Sequence, residues 1–172
     1  MHKKIALVSL LVILGLINWS IYGKENHLAE GKIVYIDLAP VDPRSLMQGD
    51  YMALNFSISD EVRKALSEKE NNSRESNNLA TADGYAVIRL DQRNIGVYKC
   101  LYNDQILSND EILMRYRVRN GTVKFATNAW FFQEGHGKHY QSAMYGQFRV
   151  DGNGELLLVA MYDKDLKKLE PN

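Results

Sequence analysis

The first two dozen residues limit this chain more than anything that follows. His2, Lys3 and Lys4 precede residues 5–17, an apolar run broken only by Ser9 and Gly15. A helix with no polar side cannot lie on a soluble core with one face in water. Residues 5–23, with Ile5 at one end and Gly23 at the other, number 19. At about 1.5 Å per residue they approach the ~30 Å hydrocarbon layer of a bilayer. Trp19 and Tyr22 stand near the outer end, where amphipathic rings favour the interface. The basic residues before the run should stay in the cytoplasm, which leaves the remaining chain outside. The expected layout is a signal-anchor at residues 1–24, crossing the cytoplasmic (inner) membrane once, and an extracytoplasmic domain at residues 25–172. A cleaved signal peptide is the competing reading, since it shares the basic start. Against it, Ser20-Ile21-Tyr22 and Ile21-Tyr22-Gly23 are poor small-x-small cleavage sites.

Beyond the run, 172 residues with 45% hydrophobic content suit one globular domain and a targeting segment. Lysine plus arginine equals aspartate plus glutamate at 21 each, so the basic excess of a general nucleic-acid binder is missing. Cys100 is the one cysteine of the sequence, which excludes a disulfide within it. Its neighbours Tyr98, Leu101 and Tyr102 suggest a packed strand and an inert, buried thiol. No G-x-G-x-x-G and no G-x-x-x-x-G-K-[ST] occurs, and no cofactor is expected.

The outer region reads as strands. Residues 25–31 form a short polar approach. Val34, Ile36 and Leu38 alternate over 32–38, and Met52, Leu54, Phe56 and Ile58 alternate over 50–58. Ser59 or Asp60 is placed to cap a helix reaching Lys69, with a narrow apolar stripe at Val62, Ala65 and Leu66. Residues 70–80 hold the most polar stretch and are expected to form a loop. Strands at 85–90 and 95–102 flank Asp91-Gln92-Arg93-Asn94, a hairpin turn. Asn120-Gly121 is a strong type I′ pair after a strand at 112–119, because both residues tolerate positive φ. Strands at 144–150 and 155–161 flank Asp151-Gly152-Asn153-Gly154, and residues 139–143 offer one helical turn. About eight or nine antiparallel strands with one or two short helices imply a mainly β fold, a sandwich or an open barrel.

Two segments carry a resemblance. One is Pro40-Val41-Asp42-Pro43-Arg44-Ser45-Leu46-Met47-Gln48-Gly49-Asp50-Tyr51-Met52-Ala53-Leu54-Asn55-Phe56. The other is Phe131-Phe132-Gln133-Glu134-Gly135, followed by Tyr140, Ala143 and Tyr145-Gly146-Gln147-Phe148-Arg149-Val150. Together with the Arg117-Val118-Arg119-Asn120-Gly121 turn they resemble the bacterial membrane-anchored proteins named for a GDYxxLxY motif. Phe56 stands where that motif ends in tyrosine, keeping the ring and losing the hydroxyl. The resemblance implies no established activity. Members accompany polytopic membrane proteins, which implies an integral membrane partner.

The charged and aromatic residues of these motifs are the candidate site. Asp50 and Glu134 are the candidate catalytic pair, since two carboxylates with separated pKa values can serve as acid and base on a glycan or peptide. Arg44, Asp50, Tyr51, Gln133, Glu134, Tyr140, Tyr145 and Arg149 are the candidate ligand-binding set. The structural alternative pairs Arg44 with Asp50 and Glu134 with Arg149, and makes the tyrosines core rings. His136 and His139 form a weak metal candidate, because Gly135 and Gly137 oppose the helix their spacing needs. Arg115, Arg117 and Arg119 share one face of a strand, fit either for anionic headgroups or as a solvated, charge-protected surface. Lys99 on a strand outside the membrane also suggests a serine–lysine peptidase, but Ser45 lacks the required spacing.

Overall fold

The computed structural model describes residues 2–39, 47–48, 51–72, 81–127 and 129–170. Helix α1, His2–Glu30, is exposed over residues 7–26 and is long and apolar enough to cross a membrane. It passes straight through residues 25–30, the short polar approach of the sequence. Lys24, Glu25, Leu28, Ala29 and Glu30 are all good helix formers, and no glycine or proline intervenes before Gly31. Gly31 N still donates to His27 O at 2.9 Å. One residue later the chain is already in strand β1, Lys32–Asp37.

Two short strands follow, β2 at Met47–Gln48 and β3 at Tyr51–Ala53. The strand expected over 50–58 is therefore cut short, and helix α2 spans Ser57–Asn72. Ile58 belongs to both patterns. It ends the alternation from Met52, all of it buried, yet with Val62 and Leu66 it also stands at i, i+4, i+8, and the chain turns helical at Ser57 so that Ile58 reaches the core from α2. Neither Ser59 nor Asp60 caps this helix. Its first residue, Ser57, donates from Oγ to Asp37 O at 3.1 Å, and Asp60 pairs with Arg63 at 2.6 Å.

Strands β4 (Thr81–Leu90), β5 (Gly96–Leu101), β6 (Glu111–Arg119) and β7 (Thr122–Lys124) form an antiparallel sheet in the order β5-β4-β6-β7. Its turns follow the sequence reading. Asp91 Oδ1 accepts the Arg93 and Ile95 N–H groups at 2.8 Å each. Asn120 and Gly121 both have positive φ, +52° and +72°. Strand β8 (Ala129–Phe131) joins β2 and β3, and a 3₁₀ turn covers Gly137–Tyr140. Finally β9 (Tyr145–Val150) lies between β1 and β10 (Leu156–Tyr162), antiparallel to both.

The pieces close on one core. Tyr35 N donates to Asn94 O and bridges Ile95, which carries β1 onto the start of β5 and runs the two larger sheets together into a half-barrel. At the far side Arg115 N donates to Gly154 O at 2.8 Å, bringing the β9–β10 hairpin onto β6. Val34, Ile36, Ile88, Met114, Phe148 and Met161 point inward, and α2 covers them with Ile58 and Val62. The fold is mainly β with two α-helices, the first of them the N-terminal apolar one.

Candidate functional site

Strands β3 and β8 bring the two sequence motifs together. They pair antiparallel, Tyr51 opposite Phe131 and Met52 opposite Trp130. Side chains alternate across a strand, so Met52 enters the core while Tyr51 and Phe131 face out. Their rings stand 5.8 Å apart, and Phe131 is 73% exposed. Beneath them Tyr140 is buried between two partners, Trp130 at 5.9 Å edge-on and Phe132 at 5.4 Å stacked. The candidate Tyr140 is thus a core ring.

Gln133 and Glu134 follow on an exposed turn closed by Gly135 at φ +82°. His136 N donates to Gln133 O, and the His136 and His139 rings meet edge-on at 5.6 Å. Trp130 Nε1 and His136 Nδ1 are buried without a hydrogen-bond partner. Among the described residues no group of three His, Cys, Asp or Glu side chains is placed to hold a metal ion. Arg44 and Asp50 lie outside the described residues, as does Ser45, so the carboxylate separation that would define an acid–base pair lies outside them too.

Arg149 and Tyr145 go elsewhere. Tyr145 lies on β9 between Asp37 and Tyr162. Arg149, four residues on, turns its guanidinium to the helix junction, where Nη1–H donates to Gly31 O at 2.9 Å. Its own carbonyl accepts from His27 Nε2 at 2.9 Å. The Glu134–Arg149 ion pair suggested by the sequence does not form. β9 is the middle strand of its sheet, and Arg149 reaches a backbone carbonyl at the end of α1, invisible to any pairing of side-chain charges.

The arginine face is compensated. Arg119 pairs with Asp83 at 2.7 Å, and Arg115 with Glu155 at 2.5 Å and Asp83 at 3.8 Å. Arg117 Nη2 donates to Ala126 O. The hydrogen bond from Arg119 holds the Asp83 carboxyl below the usual aspartate range. Lys99 is occupied as well. Its Nζ lies 2.5 Å from the buried carboxylate of Glu111, which that bond and the Ser108 N–H pull below the ordinary range. A lysine whose Nζ is engaged by a buried carboxylate is not free to activate a serine. Cys100 is half-buried, and its sulfur accepts from Gln105 Nε2 at 3.2 Å.

A model of the GDYXXLXY protein family matches residues 13–161. The chain belongs to the GDYXXLXY protein family. No curated protein and no solved structure matches it. In this member of the family, the motif tyrosine Tyr51 is an outward ring on β3, and the strand it pairs with carries the start of the second motif.

His27, Gly31, Arg149 and Asp151 make the joint between α1 and the β domain, and of these only Arg149 is a candidate site residue from the sequence; the His27 side chain is 7% exposed. A β-carbon on Gly31 would stand 2.5 Å from His27 O and 3.0 Å from Arg149 Cβ. The only sequence signal was a histidine four residues before a glycine at the end of a helix-forming stretch.

Proposed function

We propose that this GDYXXLXY family member is a non-catalytic accessory domain, held outside the cytoplasmic membrane by α1 and docked on a polytopic membrane partner. The observation that carries this reading is the joint at Gly31. The apolar helix enters the β domain without a linker, and two hydrogen bonds of 2.9 Å, both to Arg149, fasten its end to β9. A flexible tether would let the domain sample many orientations. A fastened one fixes the height and direction of its surfaces over the bilayer, and such preorganisation lowers the entropy lost on binding a partner confined to the same membrane.

The outward Tyr51–Phe131 pair is the surface we assign to that partner. Large exposed rings in contact with one another are what interface anchors are made of. The same pair, with Gln133 and Glu134 beside it, also supports a second reading, in which the rings stack on an envelope glycan or peptide.

A photo-crosslinking amino acid at position 131 of the full chain, activated in native membranes, separates the two. The accessory reading expects one adduct with a multi-span membrane protein, lost on Tyr51→Ala. Adducts with soluble envelope material favour the second reading, and a chain that crosslinks only to itself refutes the first.

A further inference from the structure

Beside the joint lies a cleft of about 530 Å³. Its rim is formed by the last turn of α1 (Asn26, Glu30), Lys32 at the start of β1, and Asp151 in the β9–β10 hairpin. Leu107, Leu113 and Val150 supply an apolar wall. We infer that this cleft receives the headgroup of an ethanolamine phospholipid from the outer leaflet, an inference that rests on α1 spanning the membrane.

Position is the first ground. Asn26 and Glu30 are three and seven residues beyond Gly23, the end of the apolar stretch. At 1.5 Å per residue they stand about 4.5 and 10 Å above the hydrocarbon edge, and the headgroup zone on each side is about 6 Å deep. The lower half of the cleft therefore opens within that zone.

Charge is the second. Lys32 is exposed and makes no ion pair among the described residues. Glu30 is oriented by Asn26, whose Nδ2 donates to Glu30 Oε2 at 3.3 Å. Asp151 uses Oδ1 to accept the Asn153 and Glu155 N–H groups at 2.9 Å each. Its Oδ2 stays 3.9 Å from His27 Nδ1, beyond hydrogen-bond length, and keeps lone pairs for a donor. A third carboxylate in the lining, Glu111, is already taken up by Lys99 and the Ser108 N–H, which leaves the cation Lys32 beside the two carboxylates of Glu30 and Asp151, a match for a phosphate joined to an ammonium. A primary ammonium has three N–H donors for Glu30 and Asp151. A choline headgroup has none, and a glycerol headgroup would bring only the phosphate charge toward the two carboxylates.

The test uses the full chain in nanodiscs containing equal parts phosphatidylethanolamine and phosphatidylglycerol, and in a second set phosphatidylethanolamine and phosphatidylcholine. Native mass spectrometry reads which lipid stays bound when the disc is stripped. In both sets the retained lipid should be phosphatidylethanolamine, held about tenfold more often than the other lipid of the disc. Glu30→Gln and Lys32→Gln, both exposed and remote from the core, should bring retention back to the bilayer ratio while the melting temperature holds. Retention at the bilayer ratio by the unaltered chain, or a preference untouched by either variant, overturns the assignment. Saturation of the detergent-solubilised chain by soluble phosphoethanolamine at micromolar concentration also overturns it, by giving the cleft to a free ligand. Failure of the anchor looks different, because a chain released from membranes by alkaline carbonate never enters the discs.

Discussion

Replacing Gly31 by alanine tests the joint between helix and domain with a single methyl group. The added carbon would lie 2.5 Å from His27 O and 3.0 Å from Arg149 Cβ, inside the roughly 3.5 Å at which nonbonded carbons begin to attract. One neighbour lies on the last turn of α1 and the other on β9, so relief requires that turn to unwind at its end and to lift from β9. Overpacking of this kind costs about 1–3 kcal/mol. The lift also stretches the bonds from Gly31 N to His27 O, from Arg149 Nη1 to Gly31 O and from His27 Nε2 to Arg149 O, and losing one of them adds about 1 kcal/mol. A net loss of about 2–4 kcal/mol lowers the melting temperature of a domain this size by roughly 6–12 °C. The assay is thermal unfolding of the full chain in detergent, followed by Trp130 emission in a Trp19→Phe background. Gly23→Ala is the internal control. That glycine has nothing within 4 Å of its would-be β-carbon, and alanine there should be neutral or stabilising by at most about 1 kcal/mol. Equal responses from the two glycines would refute the close approach on which the joint rests.

Phe148 is fully buried, with its ring 5.3 Å from Phe56. Phe148→Ala should cost about 3–5 kcal/mol, read as a lower denaturant midpoint; a loss under about 1 kcal/mol would mean the half-barrel core is not packed as described. Asp83 and Glu111 both have carboxyls held below their ordinary values of 3.8 and 4.5, chiefly by hydrogen bonds from Arg119 and Lys99. The folded state therefore releases these protons more readily than the unfolded one, so their stabilisation is present at neutral pH and is lost as pH falls through the lowered values. Asp83→Asn should flatten the acid limb of a melting-temperature profile below about pH 4, and an unchanged limb would count against the Asp83–Arg119 pair. Burial pushes the Tyr98 hydroxyl up to about 12 from 10.0. Here the folded state keeps its proton longer, so that contribution is complete below pH 10.0 and is lost as pH rises toward about 12. Tyr98→Phe should remove the latest phenol from an ultraviolet titration.

Local chemistry was legible in the sequence and distant pairing was not. Asn120-Gly121 announces its turn because few other residue pairs accept two positive φ values in succession. Asp91 and Asp151 likewise mark hairpins by accepting N–H groups two and four residues on. The apolar run of α1 needs no partner to be recognised. The pairing of β3 with β8 is another matter. Each is three residues long, and a period of two in so short a segment names a face without naming a neighbour. That Tyr51 meets Phe131 could be read only from the structure. Ile58 shows a local failure, since one residue satisfied two periods and packing against the half-barrel chose the helical one. Arg149 shows a failure of charge matching. Carboxylates such as Glu134 are visible in a sequence, whereas the Gly31 carbonyl that binds Arg149 carries no letter of its own. Nothing in the sequence of residues 25–31 singles out His27, because polar residues are as much at home in a short approach as in a fastened helix end.

The most direct test of the fastened joint is a distance distribution across it. Spin labels at Ser20 on α1 and Asn153 at the tip of the β9–β10 hairpin, both exposed, would be placed in a Cys100→Ser background and measured by double electron–electron resonance in lipid nanodiscs. One narrow distribution, broadened in Gly31→Ala, is expected if helix and domain move as a single body. A broad distribution in the unaltered chain, indifferent to Gly31→Ala, would show a domain swinging on a tether and would contradict the rigid presentation on which the proposed accessory role depends.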